Sequence, residues 1–183
     1  MKMADLTEIA AWFAGHEGTR LGHSDWLEVT PDDVRAFADV TRDWQRIHLD
    51  AEVAAAGPYG VPVAHGFYVL GLIPYLTSGL LDLRWTTLGL NYRLDRVRFH
   101  APVLVGDKVR GTATIGGSRV RPRGFLELVL QVTVETSSAD RPACTADHTR
   151  LYQVAADAEL PDLAHAGTVR LDPPPDRPAG SDR

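Results

Sequence analysis

Leu6, Ile9, Ala10 and Phe13 recur at helical spacing and Gly15 and Gly18 close the run, so residues 5–14 are predicted as an amphipathic helix. DWLEV (25–29) is a short strand candidate with Trp26 and Val29 apolar. Thr30 then has the character of an N-cap, Pro31 suits the first helical position, and Asp32 and Asp33 stand where the helix dipole favours acids. Val34, Phe37 and Ala38 give that second helix an inward face, and it stops near Thr41. AAAGPYGVP (54–62) reads as loop. Residues 64–81 are apolar on nearly every side, the pattern of a helix buried all round, with Pro74 kinking or breaking it. After residue 85 the period becomes two. Leu88, Leu90, Tyr92 and Leu94 share one parity and Val97 and Phe99 the other, which calls for a bulge near Asp95–Arg96. Strands follow at 107–115, 125–135 and 143–154, with SRVRPRG (118–124) and ADRP (139–142) as turns.

This order is α+β: helices first, then an antiparallel run of strands, packed most economically by curving the sheet around the helix at 64–81. Such a sheet leaves a face and its edges to be covered, and a second copy of the chain would cover them. Residues 1–155 read as one domain. From 156 to 183 the chain is proline-rich and charged, with PPP at 173–175, and reads as an extended or disordered tail. A net charge of −5 argues against nucleic acid or an anionic membrane as partner. Cys144 is the only cysteine, so no intrachain disulfide forms, which fits the cytoplasm. The N-terminal residues lack an apolar signal core. The run 61–76, broken by His65, Gly66, Gly71 and Pro74, is too short to span a bilayer.

The chemistry centres on DWQRIH (43–48). Five positions apart, Asp43 and His48 share no face of a helix or strand, and a helix end followed by a turn is what would bring them together. One reading is a surface acid and a solvated imidazole. The other is a carboxylate and a neutral imidazole sharing one water, which suits adding water across a carbon–carbon double bond or removing it. Charge developing on an adjacent carbonyl would need amide donors. The apolar helix begins at AHG (64–66), where Gly66 permits close approach to the backbone.

The stretch FADVTRDWQRIHLDAEVAAAGPYGVPVAHGFYVLGLIPYL (37–76), with residues 88–115 and 141–154, resembles the MaoC-like dehydratase family, in particular the nodulation-protein-N-like, single-domain (R)-specific enoyl-CoA hydratases. The resemblance spans about residues 5–154. It implies a hot-dog fold with the 64–81 helix wrapped by the sheet, a homodimer, a trans-2-enoyl thioester of coenzyme A or a carrier protein as substrate, and no metal or redox cofactor. It implies Asp43 and His48 as the catalytic pair and the Gly66 amide as the donor that polarises the thioester carbonyl. Four positions depart from the family pattern: Arg42 stands where glycine is usual, Gln45–Arg46 replaces the residues usual before the aliphatic–His pair, and Pro74 replaces a serine found in some relatives. Arg42 is expected to hold the Asp43 carboxylate ionised, and Arg46 to crowd the pocket or meet a substrate phosphate.

Three further residues are candidate substrate contacts, each with a plainer alternative. His65 could bond a backbone group and fix the loop. Asn91 could orient the acyl carbonyl or make a cross-strand hydrogen bond. Arg93, with Arg96 and Arg98, could hold phosphates or form a solvated face. Arg119, Arg121 and Arg123 fall on a predicted turn and are expected to be exposed. Cys144 and His148 read as packed core groups. A non-catalytic acyl-thioester-binding protein is the alternative to a hydro-lyase. A thioesterase is disfavoured because residues 64–81 hold no acid.

Overall fold

The computed structural model describes residues 3–165. Helix α1 (Leu6–Gly15) starts at Asp5, whose carboxylate accepts from the amides of Thr7 and Glu8. Two short strands follow: β1 (Arg20–His23), absent from the sequence reading, and β2 (Leu27–Glu28). Helix α2 (Pro31–Thr41) has the expected cap. The Asp33 amide donates to Thr30 Oγ1 at 3.2 Å, and the Thr30 amide donates back to Asp33 Oδ2 at 3.1 Å. It ends on Arg42 in the left-handed region (φ 65°), where any residue but glycine costs about 1–2 kcal/mol. That is the physical reason a glycine suits this position.

Ahead of the stretch 54–62 read as loop, which has no helix after Ala55, stand two short helices that the sequence pattern does not declare, α3 (Arg46–Leu49) and α4 (Ala51–Ala55). The Asp50 carboxylate caps α4 and also pairs with Arg46, which lies off the pocket. The apolar helix divides at Leu72 into α5 (Gly66–Gly71) and α6 (Ile73–Ser78), with Pro74 in the first turn of α6. It is not buried all round: Val69, Ile73 and Leu76 are, but Phe67 is 70% and Tyr75 51% exposed. The sheet is completed by β3 (Thr86–Phe99), β4 (Lys108–Arg121), β5 (Phe125–Thr136) and β6 (Cys144–Val154). Every pairing is antiparallel, in the order β1-β4-β5-β6-β3, with β2 also on β4. This is the α+β hot-dog architecture.

The inner face of β5 is a ladder of Leu126, Leu128, Leu130, Val132 and Val134, all buried. Gly111 on β4 lets α6 settle on the sheet, since a Cβ there would meet Leu76 Cβ at 2.8 Å. Arg119 and Arg121, read as turn residues, lie on β4 because that strand runs on to residue 121. They bracket the buried Glu127, with ion pairs at 2.9 and 3.1 Å.

The face of β3 also differs from expectation. Register shifts occur at Asn91–Arg93 as well as at the expected Asp95–Arg98, where Arg96 has φ 52°. Leu88, Leu90, Tyr92 and Leu94 are all exposed, and in the register Gly89, Asn91 and Leu94 stand opposite Tyr152, Arg150 and His148 of β6. The bulge at Tyr92 changes which parity faces the helix. Residues 156–162 lack regular structure, as read, but they are packed: Ala158 is buried and its carbonyl accepts from the Ala4 amide at 2.7 Å. Residues 166–183, the rest of the tail, lie outside the described residues.

Candidate active site

Asp43 stands in the short link after Arg42, and His48 one turn later in α3. The left-handed Arg42 ends α2 and α3 turns the chain back, so the two side chains converge beside His65, the residue that caps α5. One ligand atom from each of Asp43, His48 and His65 lies within 4.8 Å of the others.

His48 Nδ1 lies 2.6 Å from the Val63 carbonyl. A carbonyl only accepts, so Nδ1 carries the proton and Nε2 keeps its lone pair. His65 is 2% exposed, its Nε2 donates to the Asp43 carbonyl at 2.9 Å, and its ring stacks on that of His48 at 3.8 Å. His65 is therefore buried and bonds a backbone group, as the plainer of its two readings expects. Its donor fixes the Asp43 backbone while the Asp43 carboxylate has no hydrogen bond among the described residues. Tyr68, packed edge-on to Phe37, sits close enough to Asp33 and deep enough that burial, and then that charge, push its phenol up to about 12.

Arg42 does not reach Asp43 as expected. Its guanidinium lies over the Trp44 ring, 5.7 Å from the centroid, and Trp44 Nε1 donates to Asp39. Arg46 pairs with Asp50 at 2.7 Å. Neither cation enters the space between Asp43 and His48. Gly66 is the first residue of α5, so its amide has no intrahelical acceptor. A Cβ there would meet the Phe99 ring at 3.2 Å, which is why glycine fits.

A family model described as "MaoC like domain" matches residues 13–137. The chain belongs to the MaoC-like dehydratase family. It is 41% identical to 3-hydroxyacyl-thioester dehydratase Z of Mycobacterium tuberculosis over 140 residues, 76% of this chain and 93% of that one. It is also 41% identical to Nodulation protein N of Rhizobium leguminosarum bv. viciae over 138 residues, 74% of this chain and 86% of that one. The solved structure of a MaoC-like dehydratase from Rhodospirillum rubrum superposes with a TM-score of 0.62 at 17% identity, covering 76% of this chain and 93% of that one, a likeness of fold.

This MaoC-like domain carries a cavity of about 390 Å³ between its central helix and β3, within the range of small-molecule pockets. It is lined by Phe67, Leu70, Gly71 and Pro74 on one side and by Asn91 and His148 on the other. Arg93 lies at its rim with its guanidinium on Asp95 at 2.6 Å. Arg96 pairs with Asp147. Cys144 is buried, and burial pushes its thiol up to about 11, so it is not a nucleophile at neutral pH. His148 is 2% exposed, and burial, followed by the nearby Arg150 charge, pulls it down to about 4. Sequence reasoning had His148 as a packed imidazole. Its inner-face parity with Ala146 and Tyr152 was the available signal that it meets the cavity.

The His148 shift has a consequence for stability. The unfolded chain takes up this proton near pH 6.5 and the folded chain only near 4, so stability falls as pH drops through that window. The size is of order 3 kcal/mol. Urea midpoints at pH 7 and pH 4.5 should therefore diverge more for the wild type than for His148→Leu. Equal divergence would mean that His148 does not carry the effect.

Proposed function

We propose that this protein is a hydro-lyase that adds water reversibly across the double bond of a trans-2-enoyl thioester, giving the (R)-3-hydroxyacyl thioester. The single observation that carries the proposal is the convergence of Asp43 with His48, a ligand atom of each within 4.8 Å, while the His48 ring is held by its Nδ1–H bond to the Val63 carbonyl. The names of relatives support the reaction type: a 3-hydroxyacyl-thioester dehydratase, and an (R)-specific enoyl-CoA hydratase of Aeromonas caviae 33% identical over 87 residues.

Asp43 and His48 hold one water. As its oxygen adds to C3, His48 Nε2 takes a proton, and electron density moves from the double bond onto the thioester oxygen. The Gly66 amide donates to that oxygen. The Asp43–His48 pair then returns that proton to C2, the carbonyl re-forms, and one water has been added with the imidazole neutral again and no change of oxidation state in the protein. The chemistry asks for no cofactor beyond the coenzyme A or phosphopantetheine arm of the substrate. The experiment is loss of enoyl absorbance from crotonyl-CoA. Formation of 3-hydroxybutyryl-CoA supports the reaction, and acyl-CoA binding with the absorbance intact would favour a non-catalytic binding protein. The positions of Arg42 and Arg46 away from the pair take away the main reason for that second reading.

The protein is read as a cytoplasmic homodimer. Among the described residues no helix is long and apolar enough to cross a membrane. β3 is an edge strand, and Leu88, Leu90 and Tyr92 on it, with Phe67 and Tyr75 beside it, are exposed. A second copy placed along β3 would cover this apolar edge. Sedimentation should give twice the chain mass for the wild type and a lighter species for Leu90→Lys combined with Tyr92→Lys. A monomeric wild type would refute the dimer.

A further inference from the structure

The cavity between the central helix and β3 begins at Phe67, next to the proposed carbonyl donor Gly66, and follows the helix to Pro74. Gly66 itself lines a neighbouring cavity of about 360 Å³ with Val69 and Phe99; eight residues of helix rise about 12 Å, so an acyl chain held at the Gly66 amide and running along the helix would bring its distal carbons to the Pro74 end. On the helix side the lining is apolar or without a side chain: Phe67, Leu70, Gly71 and Pro74. The wall opposite mixes Tyr92 and Leu94 with polar side chains. Asn91 of β3, an exposed residue, lines it beside His148, which is buried on the inner face of β6.

A polar side chain on the inner face of a sheet is costly unless it is bonded. His148 Nε2 lies 3.0 Å from Asn91 Oδ1, while His148 Nδ1 is buried with no partner among the described residues. The ring is neutral and has one proton to place. A buried N–H without an acceptor is the costlier orphan, so the proton belongs on Nε2, donated to Asn91 Oδ1. This fixes which way the amide points: its oxygen is occupied by His148, and its NH2 group is left as a donor in a side chain that lines the cavity. Arg150, opposite Asn91 in the β3–β6 register, adds positive charge nearby and so also favours an oxygen acceptor.

We propose that Asn91, oriented by His148, is a specificity-determining residue that selects acyl chains carrying a hydrogen-bond-accepting oxygen several carbons beyond the reacting double bond. A plain alkyl chain would leave the Asn91 NH2 group dehydrated and unpaired. A keto oxygen at that depth would accept from it. The proposal rests on the reading of the site as a hydratase that holds the thioester at Gly66.

The test compares trans-2-decenoyl-CoA with its 8-oxo analogue, whose oxygen falls about 9 Å from the thioester carbon at roughly 1.25 Å per chain bond, the depth of Gly71 to Pro74. One neutral hydrogen bond predicts a kcat/KM ratio of about three- to tenfold in favour of the oxo substrate. The ratio should fall to one or below in Asn91→Leu. It should fall equally in Asn91→Asp, which keeps an acceptor for His148 Nε2–H and removes only the donors. A wild-type ratio of one or less, or a ratio retained in Asn91→Asp, overturns the proposal. Calorimetric binding of decanoyl-CoA and 8-oxodecanoyl-CoA, which have no double bond to hydrate, reads the same preference without turnover. A binding preference with no hydration would remove the hydratase reading and leave the specificity of the cavity standing, whereas hydration with no preference does the reverse.

Discussion

Asp43→Asn is expected to lower kcat/KM for hydration of crotonyl-CoA by about 10²–10⁴-fold, the usual contribution of positioned acid–base groups. The fold should persist, because only the Asp43 backbone carbonyl, retained in the variant, holds His65. The carboxylate itself is free to face water. His48→Ala should produce a loss of the same order. It also removes the bond to Val63 and the stack on His65, so its Tm must be read beside its rate. If the pair acts as a unit on one water, the double variant is little worse than either single one, and multiplicative losses would argue for independent roles. Near wild-type rates in Asp43→Asn would remove this residue from the mechanism.

The second large effect is expected at Gly66, where the backbone and not a side chain acts. Gly66→Pro deletes the amide hydrogen and adds a ring at that position. Proline is favoured at the first helical position, and His65 before it already has φ −61° and ψ 134°, the extended conformation a following proline requires. The added Cβ still crowds Phe99 at 3.2 Å, so Gly66→Ala is the steric control. The proline variant should lose a further 10²–10³-fold in kcat beyond the alanine variant, about the worth of one donor to a developing oxyanion. Equal losses in the two variants would show that Gly66 matters for space and that its amide is not the donor.

Local signals in the chain foretold the elements that depend on local chemistry. Thr30, Pro31 and Asp33 specify the start of α2, and the parity change after Leu94 marks the bulge at Arg96. The elements that escaped are held by distant partners. β1 has one buried apolar residue, Leu21, and exists because β4 offers it a ladder. α3 and α4 are too short to declare a hydrophobic period, and the Asp50 cap and packing define them. The apolar parity of β3 misled because a second bulge sits at Tyr92 and because an unpaired edge leaves leucines outside.

The candidate site divides the same way. The convergence of Asp43 and His48 followed from a helix end and a turn, and the resemblance pointed to the same pair. What sets the His48 tautomer is a backbone carbonyl, Val63, fifteen residues on, and no side-chain pattern announces such a bond. The cations Arg42 and Arg46 looked dangerous in sequence because they flank the acid. Their real partners, Trp44 and Asp50, are each only one residue farther along the chain than the acid and claim them.

The most direct test of the central claim is to follow the enoyl absorbance of crotonyl-CoA with the wild-type protein and to determine the configuration of the product. The account predicts a reversible fall to equilibrium, approached also from (3R)-hydroxybutyryl-CoA, with no free thiol released. Release of coenzyme A with the double bond intact, or an unchanged absorbance despite bound acyl-CoA, would contradict it.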